Sequence, residues 1–152
     1  MPRGITRQEV KPNPNRVRFC FDYLQPNHPK FPISACSKEF LQTLLCDIVR
    51  YGEWTVGHFK DMNNNEHRHL TNFKETSEPD GFSDIDPTGD DLWTEEAWQF
   101  ALPGTYGEAS AGWRIHGFIV DDMFHIVWLD PEHKLCEYTE FHEARGLQSP
   151  DA

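Results

Sequence analysis

Residues Trp113 to Leu135, WRIHGFIVDDMFHIVWLDPEHKL, hold two runs rich in Ile, Val, Phe and Trp on either side of the acidic pair Asp121-Asp122. Such side chains suit a pleated, half-buried surface better than a helix, so the stretch reads as a β-hairpin, Trp113 to Val120 returning as Phe124 to Leu129. A two-residue turn at Asp121-Asp122 sets Val120 against Met123, Ile119 against Phe124, Gly117 against Ile126 and Ile115 against Trp128. That face is apolar throughout. The other face carries Arg114, His116, Phe118, His125 and Val127, with His116 and His125 diagonal to each other and Arg114 beside His116. Asp-Asp lacks the glycine that a primed turn prefers, and a longer loop shifts this register by one residue.

Upstream of the hairpin, Trp98 to Leu102 reads as a strand and Pro103 to Gly112 as the loop that joins them. Val17 to Leu24 alternates, with Val17, Phe19, Phe21 and Tyr23 on one side, which is the signature of a first strand. Pro26, Pro29 and Pro32 then break regular structure. Ser37 can cap a helix whose apolar positions Phe40, Leu41, Leu44, Leu45, Ile48 and Val49 follow the helical spacing, and Gly52 closes it. Trp54 to Met62 adds a short second helix capped by Thr55, with Val56 and Phe59 turned inward, and Asn63 to Asn65 mark a turn. Strand, helices and then a run of strands give an α+β fold: an antiparallel sheet with a C-terminal β-hairpin, packed on one or two N-terminal helices.

At 152 residues the chain is long enough for one domain with a real core. The boundaries read as a flexible basic arm over 1–16, a single α+β domain over 17–143 with an acidic loop over 75–96, and a flexible tail over 144–152. Hydrophobic content is only 38%, yet 11 Phe and 5 Trp supply the large side chains of an aromatic core. Net charge is −11, unevenly spread: residues 1–74 carry 11 basic and 7 acidic groups, while residues 75–96 carry 9 acidic groups and no basic one. The whole chain lacks the basic footprint of a nucleic-acid-binding protein, although its N-terminal half can build a locally positive face. The acidic segment reads as a surface loop or partner-binding flap that charge repulsion keeps extended. Four cysteines without C-x-x-C spacing read as reduced thiols, and no apolar run approaches bilayer length, so the expectation is a cytoplasmic protein away from membranes.

No nucleophile elbow, P-loop or dinucleotide fingerprint occurs, and no cofactor is expected. His67-x-His69 and Asp130-Pro131-Glu132-His133 offer nitrogen and oxygen donors, but their spacing is not that of a known metal site, and ordinary surface histidines are the simpler reading. Metal-free acid-base chemistry remains. Cleaving RNA through its own 2'-hydroxyl requires a base, cations for the phosphorane and an acid for the leaving oxygen, and Arg114, His116, His125, His133 and Lys134 are of the right types. The alternative is that His116 and His125 are half-buried sheet residues bonded to their neighbours and that Arg114 pairs with an acid.

The succession WQFAL at Trp98 to Leu102, WRIHGFIV at Trp113 to Val120 and FHIVWLDPEHKL at Phe124 to Leu135 resembles the RelE/ParE superfamily of small bacterial toxins. The resemblance covers Trp98 to Leu135 at motif level and the remainder as element order. It implies a curved antiparallel sheet packed on helices and, in the RelE-type branch, metal-independent endoribonuclease activity on messenger RNA at the ribosome. It places Arg114, His133 and Lys134 where that family uses Arg, Lys and His; His116 and His125 come from the hairpin register alone. It also implies a cognate protein partner, an antitoxin. The chain departs from the family in being acidic and longer than usual, which supports a second reading as a non-catalytic interaction protein, an inhibitor or accessory subunit that docks a basic protein. A metal-dependent hydrolase using the histidines is a third.

Overall fold

The computed structural model describes residues 16–61, 68–85, 96–103 and 109–136. In chain order the main elements are β1 (Arg18–Cys20), α1 (Lys38–Tyr51), α2 (Val56–Phe59), β2 (His69–Leu70), β3 (Ala97–Pro103), β4 (Ala109–Val120) and β5 (Met123–Asp130). The strands form one open sheet in the order β1-β5-β4-β3-β2. The α+β arrangement with its C-terminal hairpin is therefore present. The sheet is mixed, because β1 runs parallel to β5 while every other pair is antiparallel.

The hairpin closes through Asp121-Asp122, and Asp121 takes the left-handed conformation, φ 55°, that a tight hairpin turn requires. Val120 faces Met123, Ile119 faces Phe124 and Gly117 faces Ile126, as the sequence predicts. Beyond Gly117 the register shifts, and His116 faces Trp128 while Ile115 faces Leu129. Val127 is thus an extra residue on β5, a β-bulge, and the expected pairing of Ile115 with Trp128 is corrected. The bulge also turns Trp128 to the face opposite the one expected, beside Val127. A second correction concerns β4, which begins at Ala109 inside the expected Pro103 to Gly112 loop. The first strand is only three residues long, because the chain turns away after Cys20 with Leu24 N–H donating to the Phe21 carbonyl at 3.1 Å.

Each face of the sheet is buried under something different. On one side Ile115, Ile119, Phe124, Ile126, Leu129, Trp98, Phe100 and Leu102 pack against Phe40, Leu44 and Tyr51 of α1 and Phe59 of α2. Helix α1 starts where the sequence predicts, with the Ser37 side chain accepting from Phe40 N–H at 3.0 Å, and Gly52 follows its last residue. Thr55 caps α2 in the same way, accepting from His58 N–H at 3.1 Å. On the other side Phe118, Val127, Trp128 and Ala97 meet Phe31, Phe73, Phe82 and Leu135, all delivered by irregular chain and 3-10 turns at Ile33–Ala35, Phe73–Glu75 and Ser83–Ile85.

This second cover alters the reading of the acidic segment. Residues 75–85 do not run free: Phe82 is buried 4.8 Å from Trp128, Thr76 Oγ1 donates to the Phe73 carbonyl at 2.7 Å, and Ser77 N–H donates to the Leu135 carbonyl at 2.9 Å. Burial of one phenylalanine and two fixed backbone positions outweighs the repulsion among its acids. The rest of the segment, 86–95, lies outside the described residues, as do the basic arm up to residue 15, Asn63 to Asn65, His67 and the tail.

Gly117 is where the hairpin and its packing meet. A Cβ there would run into the His125 carbonyl oxygen and would lie 2.6 Å from Phe124 Cε1. The backbone of β5 cannot withdraw without opening the ladder. Gly117→Ala should therefore lower stability by about 3 kcal/mol, read as a fall in the urea midpoint against wild type.

Candidate functional site

The polar residues of β4 and β5 lie on the face covered by irregular chain, and the bulge decides how they meet. Arg114 opposes Asp130, His116 opposes Trp128 and Gln99 of β3, and His125 opposes Phe118. His116 and Asp130, both 0% exposed, form a direct pair, with His116 Nε2 2.9 Å from Asp130 Oδ2. Since a carboxylate only accepts, Nε2 carries the hydrogen and donates it. His116 Nδ1 is buried and makes no hydrogen bond among the described residues.

Asp130 has further donors. Its Oδ1 accepts from Lys134 N–H at 2.8 Å and its Oδ2 from Leu135 N–H at 3.1 Å, so the carboxylate closes the Asp-Pro turn after β5. Burial alone pushes this carboxyl up; the hydrogen bond and charge of His116, together with the two backbone donors, outweigh it and hold the group below the ordinary aspartate value. The Cys36 thiol feels the same site, pushed up to about 11 by its own burial and by the Asp130 charge. That is the reverse of an activated nucleophile.

Arg114 is also interior, 4% exposed, with its guanidinium donating to the Trp113 carbonyl at 3.2 Å. His125 stands at the other end of the face, its ring stacked on Phe118 at 4.7 Å and edge-on to Tyr23 at 5.4 Å. Its pKa is lowered, chiefly by burial, with Asp22 opposing. His116 and His125 share a face but are held by different partners. His133 takes the left-handed conformation at φ 57° in the turn after β5, beside buried Gly112, and is half-buried. Lys134 is half-exposed with its ammonium 3.1 Å from Glu132.

The residues that sequence reasoning missed lie beside that turn. Lys30 Nζ donates to Ser77 Oγ at 2.6 Å, and Ser77 Oγ in turn donates to the Lys134 carbonyl at 2.7 Å. Lys30 is also 3.6 Å from Glu78. Nothing in the local pattern joins residues 47 and 57 positions apart; only the Asp130-Pro131 dipeptide, a turn initiator, signals that the chain bends here. The possible metal donors diverge, with Asp130 turned inward to His116 and Glu132 outward to Lys134. Among the described residues no group of three or more His, Cys, Asp or Glu is placed to hold a metal ion. No helix among them is long and apolar enough to cross a membrane.

The sequence matches no described protein family and no curated protein, and the fold matches no solved structure.

Chemically, the arrangement is an imidazole fixed by a carboxylate with its other nitrogen sealed in the interior. Such a pair orients a general base only when a nucleophile reaches the free nitrogen. Here the pair ties the end of β5 to the middle of β4. Asp130→Asn keeps the shape but turns an amide NH2 either on Lys134 N–H or on both Leu135 N–H and His116, leaving those donors without an acceptor, and should cost about 3 kcal/mol of stability.

The pH dependence has two stages. His28 and His125 titrate lower in the folded chain than at the ordinary 6.5, chiefly through burial, so the unfolded chain takes up their protons first and stability declines as pH falls below 6.5. Asp130 contributes above its ordinary 3.8, and that contribution is lost as pH falls from there through its lower folded value. Urea titrations across pH should show both stages in wild type, and only the first should survive intact in Asp130→Asn.

Proposed function

We propose that this chain is an acidic interaction protein on a RelE/ParE-like scaffold, docking a basic protein partner, with the ribonuclease chemistry of that family given over to holding the fold together. The observation that supports this most is burial: Arg114 is 4% and His116 0% exposed, whereas a phosphodiester of messenger RNA needs its cation and base at the surface. Charge points the same way. Glu75, Asp80 and Asp84 are exposed on the cover of the second sheet face beside one exposed cation, Lys74, and Lys30 and Lys134 already face Glu78 and Glu132. A partner rich in Lys and Arg, the place an antitoxin or a protected target would fill, finds complementary charge there. A cytoplasmic setting goes with this reading, because all four cysteines are free thiols.

A second reading keeps the ribonuclease, acting on RNA or at the ribosome through His133 and Lys134, and one observation favours it: both sit in a turn at the surface, within reach of solvent. Expression of wild type beside the double substitution His133→Ala, Lys134→Ala separates the two, and neither side chain belongs to the buried core. The expected outcome is normal growth and intact cellular RNA for both. RNA cleavage by wild type that disappears in the double variant would replace the interaction reading with the ribonuclease.

A further inference from the structure

We propose that α1 carries a self-association surface, and that its occupant is a second copy of this chain lying antiparallel across it. A helix on the surface of a domain normally has one apolar stripe, turned to the core. This one extends further. Phe40, Leu44 and Tyr51 are buried against the sheet. Leu41 and Ile48, half-buried, pack at the edge of that core, and beyond them the apolar surface runs on to Leu45 and Val49, which are 60% and 72% exposed and are the two most exposed large apolar side chains of the described residues. Leu41, Leu45 and Ile48 are spaced four and three apart, the spacing of a coiled-coil seam, and Lys38 stands three before Leu41 on the same seam.

The charges at the ends of the stripe select the occupant. Lys38 opens it and Glu53 lies just past its other end, and both are exposed. A two-fold axis near Leu45 and Cys46 sets Leu41 of one copy against Val49 of the other and Lys38 near Glu53 at both ends, so the surface complements itself. A parallel arrangement sets Lys38 against Lys38. The proposal stands apart from the proposed function, since α1 packs on the first face of the sheet and the acidic cover on the second.

Sedimentation velocity of the full chain from about 1 to about 100 μM tests it, a range that spans the affinity of a modest dimer. The expected result is a concentration-dependent dimer, weakened roughly 100-fold or more by Leu45→Glu with Val49→Glu, which places four carboxylates in the seam. Cys46 is exposed beside the two-fold, and helices in contact pack about 8–10 Å apart, so a short bismaleimide should link wild-type chains and fail on Cys46→Ser. Should the double glutamate variant not fold, the crosslink alone decides. A monomer across the whole range, or a dimer indifferent to the glutamates, overturns the proposal, as does capture of a different protein by α1 from a chain that is monomeric alone.

Discussion

Three donors converge on the carboxylate of Asp130, which has no contact with solvent: His116 from the neighbouring strand and the backbone N–H groups of Lys134 and Leu135 from the turn that follows. The turn is what carries the consequence. By bending the chain back under the sheet it delivers Leu135 into the second core, and the Leu135 carbonyl then receives the N–H of Ser77. Ser77 anchors the stretch that leads to Phe82, whose ring closes over Trp128. One buried carboxylate therefore sits at the head of a chain of contacts that covers half the sheet. Such a charge is tolerable only because both oxygens are met, Oδ1 by Lys134 N–H and Oδ2 by His116 and Leu135 N–H, and removing any one donor weakens that compensation.

A sheet whose central strands are buried on both faces has to be covered twice. Here one cover is helical and the other is not. Irregular chain buries fewer side chains per residue than a helix stripe, and this fold compensates with rings: Phe31 and Phe82 lie 4.9 and 4.8 Å from Trp128, and Phe73 lies 4.8 Å from Phe82. Large aromatic side chains bury much area from few positions. That is how a chain with 38% hydrophobic residues and a net charge of −11 still closes two cores.

The parts of this fold that were legible in the sequence are those governed by local rules. The hairpin, the Ser37 and Thr55 caps and the inward turn of Phe59 each depend on residues within a few positions of one another. The bulge at Val127 does not announce itself, because it answers to what Trp128 must reach, Phe31, Phe73 and Phe82, all distant in sequence. One extra residue moved Trp128 across the sheet and turned a surface of apparent catalytic groups into an interior. The shared face of Arg114, His116 and His125 was legible; the depth of that face was not, since its cover comes from segments that read as proline-broken or acidic loops. The acidic segment misled for the same reason: its composition is that of a solvated run, and a few of its residues, Thr76, Ser77 and Phe82, decide where the first half goes.

The two surfaces proposed above to bind partners, the stripe of α1 and the acidic cover, obey opposite electrostatics. Across the apolar stripe of α1, two copies bring together two chains of −11 each, so their general repulsion opposes assembly and added salt relieves it. At the acidic cover a basic partner is drawn in by the same charge, and salt weakens that attraction. The local pairs between Lys38 and Glu53 are exposed; they set the antiparallel orientation without cancelling the whole-chain term. Raising ionic strength should therefore strengthen self-association while loosening a basic partner. The sign of the salt effect alone then tells which face of the sheet a given complex uses.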